Sequence, residues 1–125
     1  MQGMIAAMFL ASALTVVDGS MLRVNGEPIR LLGIEAPDIA DRCRKRKACT
    51  RDSSRQSRES LKRALRDPIT IVPVARDAYG RTVAIVYAGG LNMSCEQLRK
   101  GMAVYKPAWD LGRRLAKECR FATKR

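Results

Sequence analysis

Residues 14–34, LTVVDGSMLRVNGEPIRLLGI, decide the fold. Leu14 to Asp18 is short and β-branched, which suits a pleated strand. Gly19-Ser20 supplies a turn, and Met21 to Val24 forms a second strand. Asn25-Gly26 is a strong hairpin signal, because both residues tolerate the positive φ of a primed turn. Ile29 to Ile34 returns as a third strand, and Pro37 ends it, since proline cannot donate to a ladder.

Beyond this meander the pattern changes. Residues 42–66 hold eleven Lys/Arg and two acids. From Asp52 the breakers vanish, and Leu61, Ala64 and Leu65 fall on one helical stripe. The segment reads as a basic loop followed by a helix over 52–66, closed by Asp67-Pro68. Ile69 to Val74 is a fourth strand, Arg76 to Gly80 a turn, and Arg81 to Tyr87 a fifth strand. Ser94 to Lys100 is a short helix with Ser94 and Gln97 at capping-box spacing. Asp110 to Arg120 is a last helix with Leu111, Leu115 and Cys119 on one face. Five short strands with a helix between the third and fourth predict a mainly β, α+β fold. The expected form is a five-stranded OB barrel with about three helices, an architecture frequent among nucleic-acid binders.

Length and composition narrow the function. The 125 residues make one domain, read here as residues 14–125. Lys and Arg outnumber Asp and Glu by 24 to 12, a net +12 that favours a polyanionic partner. Histidine is absent, which excludes a histidine base, a histidine metal ligand and a Ser-His-Asp or Cys-His site. Cys43, Cys49, Cys95 and Cys119 lack the paired knuckles of a zinc site. Two readings stay open for them: two disulfides, Cys43–Cys49 and Cys95–Cys119, or buried free thiols. Residues 1–13 are similarly two-sided. The run MIAAMFLASAL is too short to span a bilayer. It fits a remnant of a secretory signal, although the basic leader is missing, or the start of a first strand. Signal and cysteines together lean towards an exported protein.

Four motifs, in order, resemble the staphylococcal nuclease (thermonuclease) family. Val17-Asp18-Gly19-Ser20 is similar to its V-D-G-D-T. Arg30 to Asp38, RLLGIEAPD, is similar to R-L-x-G-I-D-A/T-P-E. Asp77-Ala78-Tyr79-Gly80-Arg81 is similar to D-x-Y-G-R, and Gly101-Met102-Ala103 to G-L-A. The resemblance implies the OB barrel with three helices and calcium-dependent hydrolysis of DNA and RNA phosphodiesters. It implies that Arg30 and Arg81 hold the phosphate and that Asp38 stands at the position of the base. Glu35 and Ser20 stand where the family places calcium-binding carboxylates, and Tyr79 where a tyrosine touches the nucleotide.

The chemistry suits those residue types. Guanidinium forks match the charge that develops on the non-bridging oxygens in the transition state. A hard cation with oxygen ligands adds Lewis-acid stabilisation, and a carboxylate can position or deprotonate the water. The departures from the family pattern weaken this machinery. Ser20 offers a neutral hydroxyl in place of a carboxylate, Glu35 is one methylene longer than aspartate, and Asp38 one shorter than glutamate. A displacement of about 1 Å can cost on the order of 100-fold in rate. Asp18 is either a replacement ligand or the side chain that caps its own turn. For Arg30 the plain alternative is a structural salt bridge, and for Arg81 a solvated strand-end charge.

Arg42, Arg44, Lys45, Arg46 and Lys47 either track a phosphate backbone or form a solvated loop. Trp109 and Tyr105, near the last helix, are read as core or rim packing. The expectations are therefore a weakened metal-dependent nuclease or, alternatively, a non-catalytic OB-fold module that binds DNA or RNA, single-stranded or flexible. A monomer without membrane insertion is expected, since no segment is a basic amphipathic helix with a wide apolar face. If the basic run grips phosphates, replacing Arg44, Lys45, Arg46 and Lys47 with Gln flattens the salt dependence of single-strand binding. An unchanged slope returns the run to a solvated loop.

Overall fold

The computed structural model describes residues 5–37 and 51–123, without the side chains of Arg51, Asp52 and Phe121. Asp38, the basic residues Arg42, Arg44, Lys45, Arg46 and Lys47, and the Cys43–Cys49 pairing lie outside the described residues. The strands are β1 (Ala7–Phe9), β2 (Leu14–Asp18), β3 (Met21–Val24), β4 (Glu27–Leu31), β5 (Ile34–Glu35), β6 (Ile69–Arg76), β7 (Thr82–Ala88), β8 (Leu91–Asn92) and β9 (Val104–Tyr105). The helices are α1 (Arg51–Ala64), α2 (Met93–Arg99) and a broken C-terminal segment, α3 (Arg114–Glu118) and α4 (Arg120–Thr123).

The fold is mainly β, a curled, OB-like half-barrel with its helices. Its principal strands β2, β3, β4, β6 and β7 are the five expected from the sequence. The main sheet runs in the order β1-β6-β7-β4-β3-β2, with β8 beside β7. All of its pairings are antiparallel except β4 with β7, which is parallel. β1 adds an edge to β6, pairing Ala7 with Ile71. Period-2 alternation sends Leu22, Val24, Ile29, Leu31, Ile69 and Ile71 inward, with Leu61 of α1 and Leu115 of α3 closing the core.

Two expectations change at their boundaries. The third strand stops at Leu31, because Gly33 takes a φ of +75° and turns the chain. A Cβ at Gly33 would lie 2.6 Å from Leu115 Cδ1, so the turn needs glycine for space as well as for φ. After the turn, β5 pairs with β9 instead of continuing the main sheet. The last helix is also shorter than 110–120, since Gly112 and Arg113 both have positive φ and α3 starts only at Arg114.

Buried hydrogen bonds join the helices to the meander. The Gln97 side chain is 1% exposed. Its amide nitrogen donates to the carbonyls of Gly19 and Ser57, both at 2.9 Å, and its oxygen accepts from Ser60 Oγ at 2.8 Å. Ser57 Oγ donates to the Met102 carbonyl at 2.7 Å. α1 comes so close to the β2–β3 turn that a Cβ on Gly19 would stand 1.7 Å from Ser57 Oγ. On the far side, Cys95 of α2 and Cys119, after α3, form a disulfide with Cα atoms 5.6 Å apart.

Gln97→Leu strands the Gly19 carbonyl and the Ser60 hydroxyl in a buried setting and removes the second hydrogen bond of the Ser57 carbonyl. It should cost about 2–4 kcal/mol of stability, measured by urea denaturation. A loss below about 0.5 kcal/mol would show that these partners are satisfied without Gln97.

Candidate phosphate-binding cleft

One register row runs across five strands. Asp18 pairs with Met21, Met21 with Arg30, Arg30 with Val83, and Val83 with Ala75. Residues directly opposite share a face of the sheet, so Arg30 lies on the face away from its buried neighbours Ile29 and Leu31. Arg81, two residues before Val83, falls on the same side by the strand's period. Arg30 and Arg81 consequently line one open cleft of about 440 Å³, together with Tyr79, Val83, Trp109 and Leu111.

Each arginine is held. Arg81 Nε donates to Asp77 Oδ2 at 2.7 Å, and its Nη1 lies 4.0 Å from Met21 Sδ. Its guanidinium carbon is 5.2 Å from the centre of the Tyr79 ring. Asp77 organises the whole turn. Its Oδ1 accepts from the backbone N–H of Tyr79 and of Arg81, both at 2.9 Å. Burial alone would raise the Asp77 carboxyl. The Arg81 backbone N–H and guanidinium, with the Tyr79 N–H, outweigh this and hold it below its ordinary value of 3.8. Arg30 lies over Trp109, with 5.4 Å from its guanidinium carbon to the ring centre. Tyr79 is 83% exposed and Trp109 41% exposed.

The Trp109 loop is fixed from beneath by buried Asp110. Asp110 Oδ2 accepts from the Tyr105 hydroxyl at 2.6 Å and from the Ala116 N–H at 3.1 Å, and Oδ1 accepts from the Leu115 N–H at 2.9 Å. Burial first, then Asp110, pushes the Tyr105 hydroxyl up to about 12.

The metal-position residues are arranged differently. Asp18 Oδ1 accepts from the Ser20 N–H at 2.7 Å and from its Oγ at 3.0 Å, so Asp18 caps its own turn. Ser20 is buried. The Glu35 carboxylate pairs with Lys106 Nζ at 3.6 Å, and that ammonium is 5.3 Å from the Trp109 ring centre. Among the described residues, no three acidic or thiol groups come together to hold a metal. Taken alone, Asp18, Ser20 and Glu35 do not fit a calcium ion, which takes six to eight oxygens with carboxylates prominent among them.

Sequence reasoning missed Asp77, Lys106, Trp109 and Asp110. Asp77 carries a signal, since aspartate three residues before a turn glycine commonly binds the following N–H groups. For Trp109, expected at the core or rim, no local spacing states which face it takes. A larger hollow, about 580 Å³, lies beside the Cys95–Cys119 bridge. Its acids are engaged, Glu118 by the Tyr87 hydroxyl at 2.9 Å and the Asn92 amide at 3.0 Å and Glu96 by Arg99 at 2.6 Å, and neither Arg30 nor Arg81 lines it.

A curled OB-like sheet with an open cleft is an architecture that binds oligonucleotides and oligosaccharides, and here two arginines line the cleft. The chain belongs to the staphylococcal nuclease homologue family, whose family model matches residues 28–123. The matched stretch contains Arg30, Glu35, Asp38, Tyr79 and Arg81, and begins after the turn of Asp18 and Ser20. That family acts on nucleic acids and is in general calcium-dependent. A search of curated proteins returned no match.

Asp77→Ala removes three hydrogen bonds from the turn that aims Arg81 and should cost about 1–3 kcal/mol. Because folding lowers the Asp77 pKa, its contribution is full above about pH 4 and fades as pH falls through the folded value. Urea denaturation of parent and variant should therefore diverge most near neutral pH and converge as pH falls below the carboxyl's ordinary value of 3.8. A gap that does not change with pH would assign the cost to packing alone.

Proposed function

We propose that the chain is an exported phosphodiesterase acting on DNA or RNA, slowed by the substitutions at its metal positions. The observation that carries the reading is the convergence of Arg30 and Arg81 on one open cleft. Two planar forks at fixed places can hold two non-bridging oxygens of one phosphodiester, and their charge matches the transition state better than the ground state. Asp38 takes the role of positioning or deprotonating the attacking water. Calcium is the family's cation. Asp18, Ser20 and Glu35 stand at its positions, a set with a neutral hydroxyl where a carboxylate is wanted, which is why the cation is held poorly. Single-stranded or flexible substrate suits an open cleft, and the +12 charge, with Arg42, Arg44, Lys45, Arg46 and Lys47, draws the polyanion in. The Cys95–Cys119 bridge supports an oxidising, exported location. Among the described residues no helix is long and apolar enough to cross a membrane.

A second reading, a binding module without catalysis, is favoured by the Ser20 hydroxyl and by the ammonium of Lys106 against Glu35. Plasmid-nicking and RNA-digestion assays with calcium, magnesium, manganese or chelator separate the two. The nuclease reading expects weak, chelator-sensitive cleavage that Arg81→Lys lowers by about tenfold or more, because an ammonium cannot bind bidentately. Ser20→Asp sets a second carboxylate against Asp18, so calcium should raise the melting temperature of that variant more than that of the parent. Combined with Asp38→Glu, it should raise cleavage above either single change. Nucleic-acid binding without cleavage in parent and double variant would establish the binding module instead.

A further inference from the structure

The cleft has a wall that neither the resemblance nor the sequence pattern assigns. Trp109 is the sole tryptophan of the chain. It is 41% exposed and lines the same cleft as Arg30 and Arg81. That exposure leaves part of the indole open to a ligand in the cleft, with its polar N–H and apolar ring both able to take part in a contact. Its seating is firm: it follows Pro107, and Asp110 is bound by the backbone of α3 and by Tyr105. Two cations, Arg30 and Lys106, lie within 5.4 Å of its ring centre. Any phosphate that draws Arg30 into a bidentate contact therefore stands beside the indole. Phosphate and base of one nucleotide are separated by only a sugar, so a base attached to that phosphate reaches the ring.

We propose that Trp109 is a base-stacking residue of the cleft. The cleft then binds a nucleotide at two points, the phosphate on Arg30 and Arg81 and a nucleobase on Trp109. Every base has a π-face, so the contact tolerates any sequence. A base stacked within a duplex cannot offer that face to the indole, so the same contact selects single strands. Arg30 passes from the indole to the phosphate as the nucleotide enters, which clears ring surface for the base. This inference rests on the reading of the arginine cleft as a phosphate site.

The test uses the full chain and two dye-labelled probes: a short oligothymidylate, and an abasic deoxyribose-phosphate oligomer of the same length. Binding is followed by anisotropy in chelator, with circular dichroism to verify folding of each variant. The parent should bind both probes, and the oligothymidylate more tightly. Unlabelled oligothymidylate should quench the tryptophan fluorescence, which reports on Trp109 alone, and the abasic oligomer should not. Trp109→Ala should weaken oligothymidylate binding by about 5- to 100-fold, the range of one base–aromatic stack, and change abasic binding by less than about twofold. Trp109→Phe should restore most of the loss. Arg81→Ala should weaken both probes alike. If Trp109→Ala weakens both probes equally, Trp109 only seats Arg30 and the stacking proposal is overturned while the phosphate site stands. If the parent binds neither probe, the phosphate site itself falls and the stacking proposal with it.

Discussion

The buried amide of Gln97 is the junction on which the rest of the molecule depends. A curled sheet is stabilised by packing its apolar face against helices. Here the helices are attached to it through polar atoms that have no water to return to. One side chain satisfies the carbonyl of Gly19 in the meander, the carbonyl of Ser57 in α1 and the hydroxyl of Ser60. A fully satisfied buried network specifies one arrangement, because any slip leaves several groups unpaired at once. It also sets the turn of Asp18 and Ser20, since Gly19 lies between them. The chemistry at the cleft edge is thus tied to the packing of α1.

Much of this fold was legible because its signals are local. The Asn25-Gly26 turn and the alternation in β3, β6 and β7 state the strands outright. The misses have physical causes. The run from Ile29 to Ile34 is apolar throughout, so nothing in the period shows that Gly33 turns the chain. The positive φ of Arg113 has no residue signature, since arginine rarely adopts it. On α1 the expected stripe was Leu61, Ala64 and Leu65, but the buried face also includes Ser57 and Ser60, whose value lies in hydrogen bonds to a distant helix.

The site was legible in a different way. Resemblance singled out Arg30 and Arg81, and the parallel pairing of β4 with β7 is what places them on one face. No spacing along the chain encodes that register. The aspartate beneath Arg81 follows a turn rule, whereas Trp109 depends on a tertiary route from Gly33 through Lys106, whose N–H donates to the Gly33 carbonyl at 2.9 Å. At the metal positions the residues themselves carried the message. A hydroxyl at Ser20 draws Asp18 into an internal hydrogen bond, and the carboxylate of Glu35 already has an ammonium beside it.

The parallel seam between β4 and β7 has a consequence for when the cleft forms during synthesis. The β2–β3–β4 meander and the β6–β7 hairpin each form from neighbouring residues, and each owns one of the two arginines. The seam between them joins distant parts of the chain, and such non-local pairings form slowly. A nascent chain that has emerged only as far as α1 carries Arg30 but has no second fork to oppose it. The two-arginine cleft comes into being with the completed fold. A strongly basic polypeptide therefore travels past ribosomal RNA during its own synthesis with that cleft not yet assembled.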